Sequence, residues 1–354
     1  MGSAVPLVTV IIPHFHGEAI LRRCLAALQD TRHADYGVLL VDNGSQDGSV
    51  EAIRAGFPGV RILRSEINLG FAGGCNLGIR RSRSPLVFLL NDDAVVTPGW
   101  LGPLVSAMAS DPKIAAVQPK LLSLQEPRRF DYAGGAGGEI DLFGYPFTRG
   151  RLFDHCETDR GQYDRPGSVF WASGAATLLR RSILDCVGLF DASFFAHMEE
   201  IDLNWRMQKA GFRIVSEPQS VVYHQAGGTL HQDSFRKMTL NHRNSLIMLL
   251  KNYDLQTLAW VLPLRLALEA MTFLGGLLAL KPRRSAAVAA GIWGVIRNGS
   301  VIRRGRRLNR KSFIVPDRIL MRRMYRGSAA LAYFLSRVRT AGRILPRHET
   351  TAIV

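Results

Sequence analysis

Three short stretches carry side chains suited to chemistry on a phosphorylated ligand. Asn91-Asp92-Asp93 sets two carboxylates side by side directly after an apolar run at 86–90. Neighbouring carboxylates repel unless a cation stands beside them, and hard oxygen ligands suit Mg²⁺ or Mn²⁺, which also neutralise a diphosphate. Glu199-Glu200-Ile201-Asp202 packs three carboxylates into one helical turn. Glu199 and Asp202 share a face, Glu200 is turned by about 100°, and Arg206 stands at i+4 from Asp202. A carboxylate near a metal-bound diphosphate suits general-base work. Asp42, in Val41-Asp42-Asn43-Gly44-Ser45, closes another apolar run. It suits a hydrogen bond from a ribose or a base, although the same residues also make an ordinary Asx turn.

Two further features are weaker alone. The stretch 68–78 gathers Gly70, Gly73, Gly74 and Gly78 where a helix begins, with N–H groups free for a phosphate, but it lacks the Gly-Lys-Ser/Thr of a nucleotide-binding loop. His224 follows Val221-Val222-Tyr223, and a lone histidine in such a place is more often structural than a ligand.

The elements that must position these groups alternate in period. Strands are expected at 8–12, 38–41, 60–63 and 86–90, and helices at 18–29, 49–55 and 74–81, a pattern that belongs to a parallel α/β sheet. In such a sheet ligands bind beyond the carboxyl ends of the strands, where Pro13-His14-Phe15, Asp42 and Asn91-Asp92-Asp93 all fall. Residues 130–167 are Gly-rich and read as loops and hairpins over a cleft. A helix is expected within 194–211, and short strands at 213–215 and 220–224. Beyond 241 come apolar helices at 246–250, 255–280 and 286–296. Arg265, Glu269 and Pro263 make the longest a poor membrane span.

Length and charge set the wider frame. The 354 residues suit one large catalytic domain with an appendage, and the 47% apolar content excludes a disordered chain. Four scattered cysteines offer no zinc or disulfide spacing and suit a reducing compartment. The chain carries a net charge of +16, all of it from residues 243–354, which hold 21 Lys and Arg against 4 Asp and Glu. Such a tail suits an anionic partner. Its arginines alternate with apolar helices and few aromatics, so an anionic membrane surface is expected and nucleic acid is not. Residues 1–6 lack the basic start of a signal peptide, so a cytoplasmic place is expected.

Taken in order, these segments resemble the family 2 glycosyltransferases of the GT-A fold, in particular the bacterial rhamnosyltransferase-like branch. The resemblance spans roughly residues 7–250. It rests on Val41–Ser45, 68–78, Leu90–Asp93, Pro98-Gly99-Trp100-Leu101, Trp171-Ala172-Ser173-Gly174-Ala175, Gly188-Leu189-Phe190-Asp191, Glu199–Asp202 with Arg206 and Gly211, and His224. It implies an α/β, Rossmann-like mixed sheet of the nucleotide-diphospho-sugar transferase type over 1–242. A basic, amphipathic helical membrane-associating region would follow over 243–354.

The resemblance also implies roles. Asp42 would grip the base, with Pro13 and Phe15 lining its pocket and Asn68, Gly70, Phe71, Gly74 and Asn76 beside the nucleoside. Asn91 and Asp93 take the first and last places of the family's DxD motif, with Asp92 between them on the nucleotide side. Asp93 and His224 would hold Mg²⁺ or Mn²⁺, Glu200 would be the base, and Glu199 and Asp202 would flank it toward an acceptor site shaped by Trp171, Ser173 and Gly174. Asn91 stands where the motif usually has Asp, Glu200 where Asp is more usual, and His16 where the branch often has Asn.

The implied activity is inverting, metal-dependent transfer of a sugar, with dTDP-rhamnose the lead donor and a UDP-sugar the alternative. The acceptor would be a hydroxyl of a cell-envelope polysaccharide or lipid-linked glycan, met at the inner face of the cell membrane. The competing reading from another class is a non-catalytic protein that binds a membrane or nucleic acid through its basic tail.

Overall fold

Apolar runs too short for helices and rich in Val, Ile and Leu form the centre of the molecule. The computed structural model describes residues 5–33, 35–225 and 234–345. Its first half alternates β1 (Val8–His14), α1 (Glu18–Gln29), β2 (Tyr36–Asn43), α2 (Ser49–Gly56), β3 (Arg61–Ser65), α3 (Gly70–Arg81) and β4 (Leu86–Leu90). There follow β5 (Ala94–Val96), α4 (Leu101–Ala109), β6 (Ile114–Ser123) and four short strands, β7 (Gly138–Ile140), β8 (Pro146–Thr148), β9 (Arg151–Leu152) and β10 (His155–Cys156). Then come β11 (Gly167–Val169), β12 (Ala176–Arg180), α5 (Arg181–Val187), α6 (Glu199–Lys209) and β13 (Arg213–His224).

The main sheet has nine strands in the order β11-β13-β6-β12-β4-β1-β2-β3, with β5 paired to β13. Strands β4, β1, β2 and β3 are mutually parallel, and β12 enters antiparallel between β4 and β6. This is the mixed α/β sheet expected of a GT-A-type transferase. Register then gathers the chemistry at one edge: His14 lies opposite Asp42, Leu90 opposite Ala176, and His224 opposite Ala94 and Ser123. One apolar layer packs α1, α2 and α4 against one face of the sheet, and a second packs α3, α5 and α6 against the other.

Two expectations change in detail. The strands expected at 213–215 and 220–224 are one continuous β13, with a register shift at Glu217/Val221. The glycine-rich stretch forms a separate four-stranded sheet, β10-β9-β8-β7.

The C-terminal region is helical: α7 (Phe235–Asn252), α8 (Leu255–Leu278), α9 (Pro282–Arg297), α10 (Gly299–Asn309), and the short α11 (Asp317–Leu320) and α12 (Ala329–Phe334). The expected division after residue 242 falls inside α7. A third core joins the two regions, with Phe170, Trp171, Ile201 and Trp205 packed against Ile247, Leu249, Tyr253 and Val261. Polar ties run through it. Lys251 reaches Asp202 at 3.1 Å and Asp191 at 2.7 Å, and Asn252 donates to Asp202 at 2.8 Å.

Helix α8 is long and apolar enough to cross a membrane by length and composition. Its two charges face inward: Arg265 and Glu269 are buried against each other, while Trp260, Leu264, Met271, Leu274 and Leu277 are exposed. Helices α9 and α10 meet at a bend of 65°. Gly291 of α9 permits the closest approach to α7, since a Cβ there would stand 2.7 Å from Cβ of His242.

Removing one partner of a buried ion pair leaves an uncompensated charge, at a cost of several kcal/mol. Lys251→Ala is therefore expected to lower unfolding stability by about 3 kcal/mol. The loss should appear in one thermal transition, because the joining core belongs to both regions. Two separate transitions, with only the later-melting one moved, would contradict a shared core.

Candidate active site

The sheet edge opens into a cavity of about 780 Å³. Its walls bring together Pro13, Phe15, Asn43, Asn68, Gly70 and Phe71 on one side, and Asn91, Asp92, Asp93 and His224 at the strand ends. Trp171, Ser173, Gly174, Glu199 and Glu200 complete the opposite wall.

On the strand-end wall His224 is held from both sides. Its Nδ1 lies 2.9 Å from Asp131 Oδ1, and its Nε2 lies 3.2 Å from Asn91 Nδ2 and 3.0 Å from Asp93 Oδ1. Burial opposes a charged imidazole here, but the carboxylates of Asp131 and Asp93 outweigh it and raise the pKa well above its ordinary value. Asp93 Oδ1 is buried against the His224 ring, its ion-pair partner at 3.0 Å. The two acids therefore call for positive charge between them. Among the described residues no three His, Cys, Asp or Glu side chains could hold an ion. Two protein ligands nevertheless suit Mg²⁺ or Mn²⁺, which commonly keep waters and substrate phosphates in the remaining places. Asp92 turns away from this pair toward His14 Nδ1 at 2.7 Å, and His14 Nε2 meets Ser49 Oγ at 2.8 Å.

Glu199 and Glu200 open α6, yet no cation pairs with either among the described residues. Glu199 Oε2 and Glu200 Oε2 are both buried without partners. Burial raises the carboxyl of Glu200 to about 7. It raises that of Glu199 well above the usual range, with the neighbouring Glu200 charge adding to the effect. The helix N-terminus would favour anions, but desolvation dominates.

What aims these two carboxyls is the loop before them. Phe195, His197 and Met198 have φ of 65°, 69° and 72°, each a strained backbone that costs about 1–3 kcal/mol unless held. The holding groups come from α7. The buried Asn244 side-chain amide lies 3.1, 2.9 and 2.8 Å from the carbonyls of Phe194, Ala196 and His197, and Arg243 donates to those of Ser193 and Phe194. From the other side α3 presses in at Gly70, which has φ 71° and where a Cβ would lie 2.5 Å from the Phe195 carbonyl oxygen. Only glycine fits there.

Four residues expected at the site lie elsewhere. Asp42 is buried, with Oδ1 accepting from the Ser45 N–H and hydroxyl and Oδ2 from Arg64 Nε at 2.6 Å, and the cavity is lined by its neighbour Asn43. Gly74 sits where α3 approaches Pro13 and Asn43, away from the lining. Asn76 exchanges two hydrogen bonds with the Phe190 backbone. Asp202, expected beside the acceptor, is fully buried among Arg206, Lys251 and Asn252 and serves the joining core. Conversely, nothing in the sequence marks Asp131 or Asn244, and His14 and His197 stand in marked motifs without an expected role. His197 lines the cavity and is kept neutral, its pKa lowered to about 4 by burial and the nearby Lys237 charge.

Residues 9–188 match the model of glycosyl transferase family 2. The chain is a family 2 glycosyltransferase. The transferase is 29% identical over 295 residues to the N-acetylglucosaminyl-diphospho-decaprenol L-rhamnosyltransferase of Mycobacterium tuberculosis, covering 76% of this chain and 90% of that protein. It is 30% identical over 226 residues to the pre-mycofactocin glycosyltransferase of the same organism, covering 61% of this chain and 42% of that protein. In fold it is similar to GalNAc-T7, solved with UDP, GalNAc and Mn²⁺, at TM-score 0.55 and 16% identity over 72% of this chain and 49% of that one. It is also similar to the mannosyltransferase PcManGT of Pyrobaculum calidifontis, solved with GDP-Man and Mn²⁺, at TM-score 0.51 and 17% identity over 84% and 88%.

A misplacement of about 1 Å at a reacting group can cost about a hundredfold in rate. Asn244→Ala is therefore expected to slow glycosyl transfer about a hundredfold with donor KM little changed. The acid limb of its pH–rate profile should move to lower pH as water reaches Glu200. An unchanged profile at normal turnover would remove Asn244 from the positioning of that residue.

Proposed function

We propose that the transferase moves a sugar, with inversion, from a nucleotide-diphospho-sugar to a hydroxyl of a lipid-linked or polysaccharide glycan of the cell envelope. The lead donor is dTDP-rhamnose, supported by the 29% identity to a rhamnosyltransferase. The observation that carries the reading is the single cavity joining the Asp93–His224 pair to Glu199 and Glu200, each with one buried carboxyl oxygen that lacks a partner. The nucleoside would lie along Pro13, Phe15, Asn43, Asn68, Gly70 and Phe71, with Asn91 and Asp92 beside its phosphates. The acceptor would enter along Trp171, Ser173, Gly174 and Glu199.

Glu200 takes the acceptor hydroxyl's proton. Its pKa near 7 makes it a stronger base than an ordinary carboxylate while leaving much of it ionised at neutral pH. Glu199, its carboxyl also raised by burial and by the neighbouring Glu200 charge, flanks it toward the acceptor. Trp171 is fixed by its own Nε1 bond to the Glu139 carbonyl at 2.8 Å and offers a rigid face to a sugar. Asp93 and His224 would hold Mg²⁺ or Mn²⁺, which when bound offsets the charge growing on the departing diphosphate. Asp131 keeps the His224 ring turned toward that place.

The exposed apolar face of α8 and the arginines of α10 favour a peripheral seat on an anionic membrane, at its inner, cytoplasmic face.

Calorimetric titration with dTDP, UDP and GDP, with and without Mn²⁺, tests the donor assignment. One nucleotide is expected to bind only with metal, and Asp93→Ala is expected to abolish that dependence. No binding by any nucleotide would overturn the reading of an active enzyme.

Glu200→Gln is expected to keep nucleotide binding and to lose turnover by about 10²–10⁴-fold. For the wild type, kcat/KM should rise with pH to a midpoint near 7 as Glu200 ionises. The same substitution should stabilise the fold. The folded pKa lies above the unfolded value, so ionisation costs stability as pH climbs through that window. The gain in Tm of Glu200→Gln over wild type should therefore be small at pH 4.5 and reach its plateau above pH 7. A flat difference across that range would contradict a buried, burial-shifted Glu200.

A further inference from the structure

Six Lys and Arg side chains are buried among the described residues, and five of them meet a carboxylate. Lys120 reaches Asp159 at 2.8 Å, Arg206 Asp202 at 3.0 Å, Lys209 Asp317 at 2.7 Å, Lys251 Asp202 at 3.1 Å and Arg265 Glu269 at 2.5 Å. Arg151 is the sixth. It is 7% exposed, yet no carboxylate stands within ion-pair reach of it among the described residues. One N–H donates to the Phe153 carbonyl at 3.0 Å, the guanidinium lies 4.6 Å from the centroid of the Tyr132 ring, and Nε is buried without a partner. Cations are rarely buried unpaired, because their lost hydration then goes uncompensated.

We propose that Arg151 binds a phosphate group of a substrate in the catalytic cavity, as a cationic contact additional to the place between Asp93 and His224. The inference rests on the nucleotide-diphospho-sugar reading above and adds a residue that reading does not use. Phosphate has two sources there, the diphosphate of the donor and the phosphate of a lipid-linked acceptor.

Position favours this ligand. Arg151 and Tyr132 both line the cavity. Tyr132 follows Asp131 in the chain, and the Asp131 carboxylate holds His224 at 2.9 Å. The stacked pair therefore adjoins the strand-end wall. The side chain is also fixed. Gly150 has φ 101°, and a Cβ there would lie 2.3 Å from the Phe130 ring, so the turn into β9 takes only glycine. Arg151 then pairs with Thr148 of β8 on one side and Cys156 of β10 on the other. With the Tyr132 ring against its face and the Phe153 carbonyl at one nitrogen, the planar fork keeps one orientation, as paired hydrogen bonds to phosphate require.

Chemistry narrows the choice further. A sugar hydroxyl would satisfy an N–H but not the charge, whereas a phosphate does both. Asp154 lines the cavity too, but it is exposed and stands outside ion-pair reach of Arg151. The competing role is that of a prop for the Phe153 carbonyl, whose residue has φ 49°. That role occupies one nitrogen and leaves both the charge and Nε unmatched.

The test uses the full chain with Mn²⁺ and the variants Arg151→Gln and Arg151→Lys. Calorimetry compares the nucleoside diphosphate that binds, dTDP, UDP or GDP, with its own nucleoside, and geranyl diphosphate with geraniol. Arg151→Gln is expected to weaken the phosphorylated member of at least one pair about thirtyfold, the worth of a charged hydrogen bond, and to leave its phosphate-free counterpart unchanged. Arg151→Lys keeps the charge without the fork and should lose less. A loss confined to the nucleotide names the donor's diphosphate as the source, and one confined to geranyl diphosphate names the acceptor's phosphate. Equal losses within a pair, or none in either pair, would overturn the proposal. A lower Tm with unchanged binding would overturn it too, and leave Arg151 as the prop.

Wild-type binding separates the two levels. Nucleotide binding that Arg151→Gln leaves intact, with geranyl diphosphate also unaffected, removes Arg151 and leaves the transferase reading standing. A wild type that binds no nucleotide overturns that reading and this assignment with it.

Discussion

Two adjacent carboxyls, Glu199 and Glu200, must be kept in a buried wall without a cation to hold them, and much of the surrounding structure follows from that need. Charge pairing would fix them in place but would also return the carboxyl of Glu200 to the ordinary acid range. The protein holds the backbone instead. Three residues of the preceding loop have positive φ, the Asn244 amide gathers the carbonyls of Phe194, Ala196 and His197, and Gly70 closes the other side. The contrast within one helix is instructive. Asp202, two residues beyond Glu200, is fully buried but meets Arg206, Lys251 and Asn252, and it is spent on stability.

This division explains what could and could not be read from the chain. The β-branched runs and the periodic 18–29 segment specify their own elements, because burial on two faces or on one stripe leaves a period in the sequence. Helix α1 matches its expected bounds, and the strand-end position of Asp93 and Asn91 follows from the sheet alone. Helix α7 was legible only in its apolar last third. Its first turns carry Arg236, Lys237, Asn241, His242 and Arg243, polar groups that face the cavity and the loop and so blur the apolar stripe. Position 218 is proline, and beside it a register shift made β13 read as two strands.

The expected site residues that do not line the cavity share one cause. Asp42, Asn76 and Asp202 all look available in sequence, and each is consumed by a partner 22 or more residues away: Arg64, Phe190 and Lys251. Tertiary pairing has no period. The same blindness hid Asn244 and Asp131, whose value lies wholly in whom they meet. The charges inside α8 misled in a related way. Arg265 and Glu269 lower the apparent suitability of that helix for a membrane, yet both face the protein and leave the outward side apolar.

Helix α7 runs without a break from the tie on the loop before Glu199 to the core shared with α8, and it lies against α9 through Gly291. For anyone wishing to graft this catalytic unit onto another scaffold, the portable module does not end where the family's sequence similarity fades. A fragment cut before Asn244 would keep the sheet, the cavity wall from Pro13 to Phe71 and both glutamates, but it would lose the only side chain whose amide spans three carbonyls of the loop among the described residues. The useful cut point lies beyond α10, and the helices that look like an attachment to the enzyme are part of its jig.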